Sequence, residues 1–254
     1  MLPLRIYLAG RVCVEAGDLL VEPHDFPGRQ GRLAFAFLVL ERGRPVPRDA
    51  LAEVLWRGER APAWESALHA VVSKLRGVLS RVGLDGASSL AAEGGCYELR
   101  LPGDAWVDFD AAADAIHQAE AALRHEDPRS AYGPSAVAHH IARRPLLPGE
   151  DSAWLDGKRA RLRSILVRAL ECRAHVYLWN GEHALAIEAA RDAVDVEPFR
   201  ETGHQLLMRA HASAGNTAEA LRAYEKCRRA IADELGVDPS PSTRQVYEQI
   251  LASV

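Results

Sequence analysis

The spacing of hydrophobic positions changes character along this chain. In "LPLRIYLAGRVCVEAGDLLVE" apolar and polar residues alternate with period two, which predicts short strands broken at Gly10 and at Ala16-Gly17. Helical periodicity then takes over, from about Arg29 to Arg42, with Gly43 as a stop signal. "RDALAEVLW" (Arg48–Trp56) predicts a second helix and "WESALHAVVSKLRGVLSR" (Trp64–Arg81) a third. "SSLAAEGGCYELRLP" reads as two strands around a Gly94-Gly95 turn. Strands, three helices and a closing hairpin, in that order, compose an α+β winged helix-turn-helix.

A Pro-Gly break in "PGDAWVDFD" marks a boundary, giving expected domains of residues 1–103 and 104–254. The carboxylates of Asp104, Asp108 and Asp110 read as a linker and a helix N-cap in preference to a metal cluster. Beyond them the pattern is all helical: "AAADAIHQAEAALRH", "SAVAHHIARR", and a long stretch from Trp154. Two segments repeat at an offset of 34 residues, so that Gly181, Ala184, Ala186 and Ile187 correspond to Gly215, Ala218, Ala220 and Leu221. That period belongs to tetratricopeptide-type hairpins, in which a Gly permits the turn and small Ala residues let paired helices approach. Pro198 falls where the first hairpin ends, and flanking helices are expected to cap so short a stack. Ser240 as N-cap with Pro241 at the first helical position starts the last helix.

Composition adds little until its distribution is considered. Hydrophobic residues are 48% and charged residues 26% of the chain, ordinary values for a globular protein, and the net charge is −4. Between Phe26 and Arg81, however, ten basic residues face five acidic ones, while the remainder is acidic. Such asymmetry is what a phosphate-facing surface within an acidic protein produces. No run approaches the roughly 20 apolar residues of a membrane span, and the opening residues lack the pattern of a secretory signal. Cys13, Cys96, Cys172 and Cys227 are dispersed without a CxxC pair, which predicts reduced thiols and a cytoplasmic setting. No nucleophile–base set, metal spacing or phosphate loop is visible, so neither an enzyme nor a cofactor is expected.

On a helical wheel of the third helix, Trp64, Leu68, Val71, Val72, Leu75, Val78 and Leu79 share the face expected to be buried. Ser66, Ala70, Ser73, Gly77 and Ser80 lie opposite, with His69 beside them and Lys74 and Arg76 on the flanks. Small residues would let the helix backbone approach base edges while flanking cations reach phosphates.

These parts together resemble the SARP type of bacterial transcriptional activator. The resemblance rests on "GRLAFAFLVL", "RDALAEVLW", "SALHAVVSKLRGVL", "CYELRL", "VDFDAAADAI" and, most specifically, the C-terminal "ELGVDPSP". It implies a response-regulator-type winged helix followed by a tetratricopeptide-like activation domain. It also implies binding to double-stranded promoter DNA at direct repeats by side-by-side protomers, a homodimer on DNA, and contact with RNA polymerase. Ser66, His69, Ser73, Lys74 and Arg76 would then read or clamp DNA. Arg29, Arg32 and Arg48 at the starts of the first two helices, with Arg44 between them, would grip phosphates. The chain departs from the family pattern at Glu65-Ser66, where an Arg-Asn pair is common, and in the hairpin, where Glu93 stands among expected basic residues. These two carboxylates keep a second reading open, a helical interaction scaffold whose winged helix no longer reads promoters.

Overall fold

A computed structural model describes residues 3–59 and 62–253 of the chain. Leu2, at the head of the expected strand run, lies outside them, as does Arg60, one of the ten basic residues counted above. Two compact units emerge from the contacts: residues 1–111 with 144–160, and residues 112–143 with 161–254. The first unit therefore takes in a segment, Arg144–Ala160, far beyond the boundary expected after residue 103.

The first unit opens with β1 (Leu4–Tyr7), β2 (Cys13–Ala16) and β3 (Leu19–Val21), joined as antiparallel neighbours. Alternation puts Leu4, Ile6, Val14 and Val21 inside, each at most 2% exposed. A further strand, β7 (Trp106–Val107), pairs in parallel with β1, so the order is β3-β2-β1-β7. The carboxylate of Asp108 follows that strand and accepts the backbone N–H groups of Leu8 and Ala9, both at 2.9 Å. Burial pushes its pKa up despite these bonds. Asp108 thus fastens the chain to the end of β1, and no group of potential metal ligands exists among the described residues.

Three helices pack against one another, and the third also contacts β3. They are α1 (Gly28–Leu40), α2 (Arg48–Trp56) and α3 (Trp64–Arg81), the last two with the bounds the periodicity predicts. A short α4 (Gly86–Ser89) lies against α3 so closely that a Cβ on Gly86 would stand 2.3 Å from the Arg76 carbonyl oxygen. The wing follows as β5 (Leu90–Glu93) and β6 (Cys96–Leu99), with a third strand, β4 (Val46–Pro47), on the other side of β6. Gly94 and Gly95 both have positive φ, +56° and +77°, as a two-residue hairpin turn of this twist requires.

The second unit is helical. Its elements are α5 (Asp108–Arg124), which starts in the first unit, α6 (Pro128–Ala142), α7 (Ala153–Trp179), α8 (His183–Val196), α9 (Glu201–Ser213), α10 (Thr217–Leu235) and α11 (Pro241–Ala252). The 34-residue repeat corresponds to the α7–α8 and α9–α10 turns. After each first helix a glycine takes positive φ, +73° at Gly181 and +77° at Gly215. The next residue donates back across the turn, Glu182 N–H to the Tyr177 carbonyl at 2.8 Å and Asn216 N–H to the His211 carbonyl at 2.9 Å. Ala186 and Ala220 are fully buried at equivalent places, and Ile187 and Leu221 pack against the same core. The paired Ala184 and Ala218 instead face outward, so close packing rests on only one Ala of each expected pair. Ser240 accepts the Thr243 N–H at the start of α11, as its N-cap position predicts.

Candidate nucleic-acid interface

Helix α3 carries the largest contrast between faces in the first unit. Leu68, Val71, Val72, Leu75, Val78 and Leu79 are buried, which fixes the opposite face to solvent. Trp64, expected among them, is only half-buried. Ser66, His69, Ala70, Ser73, Lys74, Gly77 and Ser80 are all exposed. Space is open above Gly77, where a Cβ would meet nothing within 4 Å. The exposed face is therefore smooth, and its ammonium group, on Lys74, has no ion-pair partner among the described residues.

The structure separates Arg76 from that group. Its guanidinium turns toward the wing and donates through Nε and Nη2 to the Leu90 carbonyl, at 3.0 and 2.9 Å. Leu90 begins β5, so Arg76 joins α3 to the hairpin that follows it. Arg48 also lies beside the wing. Its backbone N–H donates to the Gly95 carbonyl at 3.1 Å and its guanidinium carbon stands 5.7 Å from the centre of the buried Tyr97 ring.

The three remaining arginines each have an intramolecular partner. Arg44 donates to the Glu41 carboxylate, at 3.0 Å from Nε. Burial alone would raise the pKa of Glu41, but Arg44 and Lys158 together hold it below the usual carboxylate range. Arg29 Nη2 lies 2.6 Å from Glu150 Oε2, a close charge contact that lacks hydrogen-bond geometry. Arg32 Nη1 donates to the Pro23 carbonyl at 3.3 Å. Ser66, His69, Ser73 and Lys74 thus share one face of one helix, Arg48 and Arg76 brace the wing, and Arg29, Arg32 and Arg44 are tied elsewhere. One exposed cation escaped the sequence reading: Arg57, which ends α2 in the left-handed conformation at φ +50°. Its position between two helices of a helix-turn-helix was the available signal.

Acidic groups stand close to this surface. Glu65 in the first turn of α3 and Glu93 at the wing tip are both exposed. Glu65 suits the positive end of the helix dipole but opposes a phosphate. In the wing, Arg100 is paired with Glu98 at 2.6 Å.

Comparison with known proteins gives these features a context. The sequence profile of the bacterial transcriptional activator domain matches residues 107–251. Regulatory protein AfsR of Streptomyces coelicolor is 34% identical over 230 residues, covering 87% of this chain and 22% of that protein. Transcriptional regulatory protein EmbR of Mycobacterium tuberculosis is 32% identical over 225 residues, covering 87% of this chain and 57% of EmbR. The chain therefore spans about a fifth of one relative and little more than half of the other. The solved structure of Mycobacterium tuberculosis EmbR in complex with a low-affinity phosphopeptide superposes with a TM-score of 0.88 at 26% identity, over 100% of this chain and 66% of that one. The winged helix followed by a tetratricopeptide-like unit is thus an architecture shared with EmbR. No helix among the described residues is long and apolar enough to cross a membrane. The chain belongs to the bacterial transcriptional activator domain family, of SARP type.

Proposed function

We propose that this protein activates transcription by binding promoter DNA through α3. In this reading Ser66, His69 and Ser73 face the base edges, Lys74 neutralises a phosphate, and the wing with Arg48 lies along the adjacent backbone. The helical unit meets RNA polymerase or a neighbouring protomer, and two protomers occupy a direct repeat. The observation that carries the reading is the exposed face of α3: small and polar, open above Gly77, and bearing a lysine with no ion-pair partner among the described residues. A core helix with a merely solvated outer face has no need of so smooth a surface.

Selection of bound duplexes from a random pool tests this directly. Enrichment of a spaced direct repeat is the expected result, and recovery of unenriched sequence would remove promoter reading. The second reading, an interaction scaffold, is favoured by the exposed Glu65 and Glu93. Under it, fluorescence anisotropy would detect no salt-dependent binding to any duplex, whereas phosphate contacts make affinity fall steeply with salt.

A further inference from the structure

The segment Arg144–Ala160 forms one wall of a solvent-open cavity of about 410 Å³ in the first unit, facing the β1–β2 turn, a 3-10 turn at Pro23–Asp25 and the start of α1. Its wall is held in an unfavourable conformation. Leu147 has φ +46°, a region that side chains with a Cβ rarely occupy. Several bonds impose it: Leu147 N–H donates to the Leu8 carbonyl at 3.3 Å and Gly10 N–H to the Pro145 carbonyl at 2.8 Å. Arg159 donates to the carbonyls of Leu146, Leu147 and Glu150 together. The cavity is consequently formed before anything enters it.

Its lining combines an apolar floor with excess positive charge. Val12, Leu33 and Leu147 supply the floor and are each no more than 5% exposed. Arg11 and Arg32 supply the cationic groups, with the His24 imidazole beside them. One carboxylate, Glu150, also lines the cavity but lies 2.6 Å from Arg29, and the neighbouring Glu22 lies 3.6 Å from Arg11. Arg32 spends one N–H on the Pro23 carbonyl and has no carboxylate partner among the described residues. The volume lies in the range of small-molecule sites, which are mostly apolar with a few fixed polar groups.

We infer that this cavity binds a small organic carboxylate, with its charge on Arg32 and its apolar body against Val12, Leu33 and Leu147. One unmatched guanidinium suits a monoanion, and the floor requires more than a bare anion. The next residue after His24, Asp25, accepts from Arg81 in the last turn of α3 at 2.8 Å. An occupied cavity would therefore adjoin the anchor of the proposed recognition helix. That consequence rests on the DNA reading; binding itself does not.

Calorimetric titration of the full chain with benzoate, in the absence of DNA, tests the site. A fragment of this size is expected to bind at one site with Kd of about 1 mM. Losing the charge-assisted contact in Arg32→Gln should weaken binding about tenfold. Arg11→Glu, on an exposed side chain that does not threaten the fold, should weaken it severalfold. Arg32→Lys, which keeps the charge, should bind between wild type and Arg32→Gln. Hexylammonium and inorganic phosphate should bind wild type no better than benzoate binds Arg32→Gln. The inference is overturned if benzoate does not saturate, if phosphate matches it, or if folded Arg11→Glu binds like wild type.

Discussion

Lys74 and Arg76 lie two residues apart on α3, and the structure predicts opposite consequences of removing them. Arg76→Ala deletes a guanidinium that makes two bonds to the Leu90 carbonyl. Hydrogen bonds from charged donors contribute about 1.5–3 kcal/mol, and partial exposure of Arg76 brings this to about 1–2 kcal/mol. For a unit of this size the melting temperature should fall by about 3–8 °C. Four of the five tryptophans, Trp56, Trp64, Trp106 and Trp154, lie in the first unit, so intrinsic fluorescence follows its unfolding. Trp179 of the second unit is 57% exposed and contributes little change. Lys74→Ala deletes an exposed side chain with no ion-pair partner among the described residues, so its melt should match wild type within experimental error. Its effect should fall on DNA, lowering affinity evenly across sequences and flattening the salt slope by about 1. Equal melts for Arg76→Ala and wild type, with an affinity loss equal to that of Lys74→Ala, would refute this division of labour. Arg76 would then be on DNA and its bond to the wing would be absent.

Further outcomes follow from the same structure. Gly215→Ala places a Cβ at φ +77° in open space, so backbone strain alone should cost about 1–2 kcal/mol, visible as an earlier helical melt by circular dichroism. Burial, reinforced by the charges of Arg173, Arg143 and His140, lowers the pKa of His139 from 6.5 to about 4. The unfolded chain therefore takes up a proton between pH 6.5 and about 4 that the native chain refuses, and stability must fall as pH falls through that window. Screened by solvent the loss is about 1–2 kcal/mol, and urea titrations of His139→Phe should show a shallower acid dependence. Glu65→Arg removes a repulsion at the start of α3 and should tighten DNA binding, most at low salt; anisotropy showing no gain would place that turn away from phosphate.

Much of this architecture is visible in local patterning, and what is not depends on contacts distant in sequence. The buried face of α3 follows from apolar spacing, and the turns at Gly181 and Gly215 follow from the repeat, because both arise within a few residues of chain. Partners of the arginines do not. Arg29 meets Glu150, and a reading limited to helix starts would leave it free for phosphate. Arg76 occupies the flank of α3, as the wheel indicates, but the wheel cannot show a carbonyl at Leu90 waiting beside it. The segment Arg144–Ala160 is the same kind of case: nothing in "RRPLLPGEDSAW" announces a left-handed leucine or a cavity wall, since both depend on Leu8 and Arg159. The number of arginines between Phe26 and Arg81 therefore exceeds the number whose charge is unmatched.

This shortage of unmatched cations bears on how many protomers bind. If α3 and the wing of one protomer reach two or three phosphates, the logarithmic salt slope is about −2 to −3. Affinity would then drop only about 10- to 40-fold between 0.05 and 0.2 M salt, which is weak grip for a promoter protein. Two protomers on a direct repeat double the number of phosphates and raise the slope to about −4 to −5. Each also turns the other's encounter into a local one, so that affinity rises without new contacts to DNA. The slope measured on a single half-site and on the paired repeat therefore counts protomers without any assumption about their contact. A doubled slope on the repeat supports cooperative occupancy by two copies. An identical slope on both duplexes means that one copy binds alone, and the helical unit would then have no part in arranging neighbours on DNA.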